Sequence, residues 1–345
     1  MKKLLILCVV CVLCLGIGLV GCGTPSQPTP EQAPHTHSYS SVWSYDNEYH
    51  YKKCADNSCD SISEKTEHDI ENGACKICEY VDFVTVTPDS LFTELKTSQK
   101  KYFKLSSGNY GAIYLTNKSD ITLFSEDGAK ITSKVTLTAN NSNITLKGLN
   151  FQSGVGPTGV EILGITNGLK IENCTFTGNS QIVSKDAGNE VSNLVIENCQ
   201  FIEIAGGQLS AMVVQTVTNF TVKNCNFNDV QYNAMQVGSI KLQGNVTVTG
   251  NTFKEINNRI LYFVSPSEDV VWDISSNVFY ECGSGKDDGN YIKVGGATIT
   301  VGVNTWEVMP ELDTYYFVRT ITENGQTVNT IDGINIDFDE QLSLE

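Results

Sequence analysis

The residues of this chain best suited to coordination chemistry are crowded into one short stretch. All four histidines fall at 35, 37, 50 and 68, and four of the twelve cysteines fall at 54, 59, 75 and 78. Cys54-x4-Cys59 and Cys75-x2-Cys78 are two knuckle-like pairs separated by 15 residues. A two-residue gap lets both thiolates reach one tetrahedral ion, so this spacing is close to that of a zinc ribbon. The stretch has few apolar residues (Val42, Trp43, Tyr45, Tyr49, Tyr51, Ile62, Ile70, Ile77). A core that small needs a staple. Three states stay open: structural zinc on Cys54, Cys59, Cys75 and Cys78, two disulfides in an oxidising compartment, or free thiols. His37, His50 and His68 are possible additional ligands, so seven side chains compete for four positions. Four thiolates would close the shell, which argues against a catalytic ion.

A second set of candidate residues is brought together by repetition. Six segments end in nearly the same phrase, from Ile144-Thr-Leu-Lys-Gly-Leu-Asn-Phe151 to Trp272-Asp-Ile-Ser-Ser-Asn-Val-Phe279, and a weaker copy ends at Trp306. The end residues 151, 176, 201, 227, 253, 279 and 306 stand 25 to 27 apart. Such a period predicts a solenoid, in which each repeat is one coil that cannot bury its apolar face alone. Each phrase alternates apolar and polar residues as a strand does. The expected class is all-β, with coils of about 25–26 residues.

Aligned coils give columns. Phe151, Phe176, Phe201, Phe227, Phe253, Phe279 and Trp306 should form an aromatic ladder in the core, with coils about 4.8 Å apart. Ile171, Ile196, Val222, Val248 and Ile274 form a second apolar column. Two residues before each aromatic stand Leu149, Cys174, Cys199, Cys225, Asn251, Asn277 and Asn304, one slot filled two ways. The cysteines there are expected to be inert and buried. Lys147, Glu172, Glu197 and Lys223 mark a solvated face with weak pairs.

Two residues after the aromatics stand Glu203, Asp229, Glu255 and Glu281, carboxylates on four successive coils. Stacked so closely they must splay into water, meet a cation or hold a proton. Calcium tolerates irregular oxygen sites, so it is the cofactor to consider there. The nearest arginine is Arg259, one of two in the chain. If a groove exists, its floor is expected at Asp229, Tyr232, Asn233, Gln236, Glu255, Asn258, Arg259 and Tyr262. The competing reading is a solvated edge of a passive stalk.

Three resemblances add to these patterns. Lys2 and Lys3, an apolar run from Leu4 to Val20, and Leu19-Val-Gly-Cys22 resemble the leader and lipobox of bacterial lipoproteins. That likeness implies removal of residues 1–21, lipidation of Cys22 (palmitate among the chains), and an anchor on the extracytoplasmic face of a bacterial membrane without a span. Residues 22–34 carry four prolines and read as a stiff tether. Residues 35–80 resemble small His/Cys-rich modules of Gram-positive surface proteins through His37-Ser-Tyr39, Trp43, His50-Tyr51, Cys54, Cys59, His68 and Cys75-x2-Cys78. This implies a structural, metal-bound module. Residues 88–308, with an amphipathic helix over Pro88 to Ser98 and then the repeats, are similar to the right-handed parallel β-helix proteins of the pectate-lyase-like superfamily. The helix should cover the first coil, with Leu91, Phe92 and Leu95 on one face. Residues 309–345, with a hairpin signal at Glu323-Asn-Gly-Gln326, should form a C-terminal cap.

The formal charge of −16 argues against nucleic acid, which needs a cationic face. The coils contain no histidine and no aspartate pair beside Arg259, which weakens the case for lyase or hydrolase chemistry. The reading that follows is a lipid-anchored surface protein binding a glycan or other surface ligand without catalysis. Its alternatives are a polysaccharide lyase or hydrolase of acidic glycans, and a structural adhesin or spacer.

Overall fold

The computed structural model describes residues 36–71, 73–152, 158–184, 188–205 and 210–280, together with 282, 292–295, 302, 304–306, 317–323 and 326–330. Residues 1–35, including His35 of the small module, as well as Glu281 and residues 283–291, lie outside this set.

The repeats form a parallel β-helix. Each phrase is one strand, as in Asn141–Lys147, Thr166–Glu172 and Glu190–Glu197. Successive phrases pair parallel and in register, with Leu146 opposite Ile171, Ile171 opposite Ile196, and Val222 opposite Val248. The residues that follow form short strands in a separate sheet of nine. There Phe151 pairs with Phe176, Phe201 with Phe227, and Phe279 with Trp306. The same column continues backward through Ile131 to Tyr110.

The corner between phrase and short strand explains the repeated Asn-Cys. Asn173, Asn198 and Asn224 have φ of 54°, 55° and 52°, and Gly148 and Gly250 occupy the same left-handed position. Asparagine and glycine tolerate that conformation better than other residues. The following residue then points inward. Leu149, Cys174, Cys199, Cys225, Asn251, Asn277 and Asn304 are all buried. Asn251 Nδ2 donates to the Val222 carbonyl (3.0 Å) and Asn277 Nδ2 to the Val248 carbonyl (2.7 Å). The thiols point at equivalent carbonyls, Cys174 at Leu146 (3.5 Å) and Cys199 at Ile171 (3.5 Å). Burial pushes the Cys174 thiol well above its ordinary pKa, as an inert core group requires.

Five consecutive phenylalanine pairs stack with centroids 4.5 to 5.2 Å apart and planes within 15°. All six rings are buried. On the outer face, Lys147 meets Glu172 at 2.8 Å and Lys170 bridges Glu172 and Glu197. Burial alone would raise the Glu172 pKa; the two lysines outweigh it and hold the carboxyl below its usual value.

The expected helix spans Leu91–Thr97. Leu91 and Leu95 are buried, but Phe92 is 74% exposed, a correction to the expected apolar face. Leu91 and Leu95 lie one turn apart, whereas Phe92 is rotated about 100° from Leu91. At the other end, Phe317–Glu323 and Gln326–Thr330 form an antiparallel hairpin, and its first strand extends the parallel stack beyond Ile292–Gly295.

Candidate functional site

In the N-terminal module, short pairings carry the ligand-type residues. The strand Tyr49–Tyr51 lies between Ser44–Tyr45 and Thr66–Glu67, which sets His50 near His68. Ile70–Glu71 pairs with Ala74–Cys75, and Cys75 N–H donates to the Tyr80 carbonyl (2.8 Å), closing the Cys75–Cys78 knuckle. His50, His68, Cys75 and Cys78 thereby bring four donor atoms within 4.8 Å of one another. A second group, His37, Cys54 and Cys59, meets the same limit elsewhere in the module. The four cysteines therefore do not share one centre. Cys75 and Cys78 lie with two histidines and Cys54 and Cys59 with one, a division that cysteine spacings cannot reveal.

The four-residue group fits a tetrahedral ion. Two ligands on one zinc, each 2.0–2.3 Å from the metal, stand about 3.3–3.8 Å apart. Cys78 Sγ is 3.5 Å from His68 Nδ1, inside that range, and Cys75 Sγ is 3.9 Å from His50 Nδ1, just beyond it. His68 Nε2 donates to the Asp46 carbonyl at 2.9 Å, which leaves Nδ1 free to bind. The ring is held between that bond and Tyr80, stacked at 4.0 Å, while Trp43 packs edge-on against His50 at 4.8 Å. Burial would raise the Cys75 thiol, but the N–H groups of Ile77 and Cys78 and the ring of His68 outweigh it and bring the thiol to about 6. All described cysteines are unbridged.

The carboxylate column is real as a backbone feature. Glu203, Asp229 and Glu255 have φ of 52°, 53° and 53° and occupy one left-handed position repeated on three coils, which the pairing skips in register between Ile202–Asn228 and Ile204–Val230. Glu203 and Glu255 are exposed, and Asp229 accepts a hydrogen bond from Gln231 (2.7 Å). Glu255 pairs with Lys254 at 3.2 Å. Among the described residues the groups with metal-ligand geometry are the two His/Cys sets, and the carboxylate column is not one of them. Glu281 lies outside the described residues.

The expected groove residues divide. Gln236 and Tyr262 stand in register on adjacent coils, and the Arg259 guanidinium lies 4.9 Å from the Tyr262 ring centroid. Tyr232 is half-buried beside them in sequence. Asn233 and Asn258 are 1% and 3% exposed and so are not a solvent-facing floor. Their place at the corner before the next strand turns them inward. Asn233 Oδ1 accepts the Arg259 N–H (3.2 Å), yet Asn233 Nδ2 and Asn258 Oδ1 have no partner among the described residues.

One further surface was not anticipated. A cavity of about 300 Å³ lies between the capping helix and the first coil, bordered by Pro88, Leu91, Phe92, Tyr110 and Tyr114, with Lys96 and Lys118 at its edge. Tyr114 is 62% exposed. The sequence signal was Tyr114, an aromatic at a position where the alternation of its strand calls for a polar residue.

No family model matches the chain, and no curated protein does. Among solved structures, a surface adhesin of Streptococcus pneumoniae, PfbA, is similar at 10% identity with a TM-score of 0.35, over 71% of this chain and 95% of that one. A PL6 family alginate lyase, AlyGC, is similar at 16% identity with a TM-score of 0.39, over 88% of this chain. This chain spans only 47% of that lyase. At these identities the likeness concerns fold alone.

Proposed function

We propose that this chain is a lipid-anchored, extracytoplasmic β-helix protein that binds a glycan or another surface ligand without turning it over. The observation that carries the reading is the Arg259–Tyr262 stack, whose guanidinium lies 4.9 Å from the ring centroid and whose two side chains are half-buried and within reach of solvent. Tyr232 is half-buried on the preceding coil. Aromatic faces that cover sugar C–H groups, beside polar groups that exchange hydrogen bonds with hydroxyls, are the chemistry a glycan needs. Arg259 adds a preference for an acidic sugar. Asp229, Gln236 and Glu255 stand at the margin of this patch. The lipid anchor rests on Leu19-Val-Gly-Cys22. The small module acts as a structural spacer in this reading, with one zinc on His50, His68, Cys75 and Cys78.

The lyase alternative draws support from one feature, a cation and a phenol held together at Arg259 and Tyr262. A glycan array run beside an assay for unsaturated uronate product separates the readings. Binding lost in Gln236→Ala and Tyr262→Ala without new product is the expected outcome. Product that disappears in Arg259→Ala would establish the lyase, and neither binding nor product would leave a spacer. In the same preparation Cys22→Ala should abolish lipid labelling and leave the leader uncut.

A further inference from the structure

We propose that the module holds two zinc ions, the second bound by His37, Cys54 and Cys59, and that the two sites are interlocked. This extends the reading of His50, His68, Cys75 and Cys78 as a structural zinc site. The second site has its own geometry. The three donor atoms lie within 4.8 Å of one another, and His37 Nδ1 is 3.4 Å from Cys59 Sγ, within the separation two ligands of one zinc ion require. Ser61 Oγ lies 3.4 Å from His37 Nε2, so the ring's other nitrogen is held on the side away from the thiols.

The backbone builds the site deliberately. Ala55 N–H donates to the Ser38 carbonyl (2.7 Å), which ties the His37 segment alongside Cys54. Cys54 N–H donates to the Ser61 carbonyl (2.8 Å) and Cys59 N–H to the Asp56 carbonyl (3.0 Å), which fold the Cys54–Cys59 loop back on itself. Cys54 is buried although this part of the module has no buried apolar side chain among its described residues.

The order of ligands along the chain makes the interlock. His37 belongs to one site, His50 to the other, Cys54 and Cys59 to the first again, and His68, Cys75 and Cys78 to the other. The loop closed between His37 and Cys54 contains His50. The loop closed between His50 and His68 contains Cys54 and Cys59. Closing either loop lowers the entropy cost of closing its neighbour. The four-ligand site is enclosed around buried His50 and Cys75, whereas His37 is exposed. The three-ligand ion, completed by water or another donor, is therefore the faster to exchange.

The test uses the full chain purified under reducing conditions with zinc. Metal per chain is measured by mass spectrometry of the elements, and release is followed with a colorimetric chelator. Two zinc ions per chain are expected, released in a fast and a slow phase of one equivalent each. Cys54→Ser with Cys59→Ser should remove the fast phase and keep the slow one. Cys75→Ser with Cys78→Ser should remove the slow phase and weaken the remaining ion by about tenfold, within the usual range of coupling between linked sites. Because that variant can unfold the module, zinc protection of all four thiols from alkylation in the unaltered protein gives an independent readout. One zinc per chain, unaffected by the Cys54/Cys59 change, overturns the second site and leaves the first. No zinc, with a Cys54–Cys59 disulfide in the unreduced mass, overturns both. Two ions lost independently, with no change in the affinity of either, overturn the interlock.

Discussion

Between residues 36 and 80 the only buried side chains among those described are His50, Cys54 and Cys75. From Phe176 to Phe279 every coil buries a phenylalanine, a β-branched or leucine partner, and a cysteine or asparagine at its corner. The first region buries what a metal binds; the second buries what water rejects. A short chain segment cannot gather enough apolar surface to offset its conformational entropy, whereas stacked coils share one continuous core. The difference implies that the two regions fail for different reasons. Removing metal should produce the largest effect in the molecule. Structural zinc contributes about 10–16 kcal/mol in small metal-bound folds. Chelation should therefore unfold the module and leave the β-helix intact. Hydrogen exchange read by region checks this: full exchange over residues 36–80 with continued protection of Phe201–Phe279 is expected. Loss of protection in both, or in neither, would erase the distinction.

The coils should be broken by truncation rather than by chelation. Phe227 stacks on Phe201 at 4.5 Å and on Phe253 at 5.0 Å, and is fully buried. Phe227→Ala should cost about 3–5 kcal/mol, the usual range for a buried phenylalanine. Denaturant unfolding measures it. A cost below about 1 kcal/mol would mean that this ring is not part of a tightly packed stack.

What could be read from the residues alone follows the same division. The aromatic and aliphatic columns were legible because a strand period inside a coil period leaves no choice of facing. Tyr110 and Ile131 share the aromatic column but were missed, because their coils span about 20 residues instead of 25. The left-handed φ of Glu203 and Glu255 had no signal, since glutamate is not a usual occupant of that conformation, whereas Asp229 between them is of a type that tolerates it. In the module, the ligands were legible as types and not as partners. Cys-x2-Cys and Cys-x4-Cys are local spacings, but the choice between His37 and His68 is made by hydrogen bonds across the fold, such as His68 to the Asp46 carbonyl. Asn233 and Asn258 were expected in a groove and lie buried, because a corner residue can turn in as easily as out.

The corner slot offers a subtler contrast inside the β-helix. Asn277 Nδ2 serves the Val248 carbonyl, and its Oδ1 accepts the Asn251 N–H at 3.0 Å. Asn277→Ala would leave two buried backbone groups unpaired, at a cost of about 1–3 kcal/mol each before relaxation. Cys225 holds the same position one coil before Asn251, and its thiol points at the Ile196 carbonyl at 3.7 Å. Cys225→Asn should extend the asparagine ladder and change stability by less than about 1 kcal/mol, the scale of one net hydrogen bond. Equal and large losses in both variants would mean the slot is shaped for the particular residue, not for its hydrogen bonds.

The smallest effect is expected where the β-helix most looks like a metal site. Glu203, Asp229 and Glu255 stand at one left-handed position on successive coils about 4.8 Å apart. Two such charges in water repel by about 0.9 kcal/mol before salt screens them. Lys254 offsets part of this at Glu255. Each glutamate also carries the strain of a left-handed residue, which asparagine tolerates better. Glu203→Asn with Glu255→Asn should therefore raise stability by up to about 1 kcal/mol, through relief of both terms. Millimolar calcium should leave the melting temperature of either form unchanged, because exposed carboxylates with no convergent geometry bind it no better folded than unfolded. A calcium-dependent rise in the original protein that vanishes in the double variant would show that the column gathers an ion. The division between a metal-held module and a metal-free solenoid would then fail, and an acidic glycan bridged by calcium would become the ligand to test at Arg259.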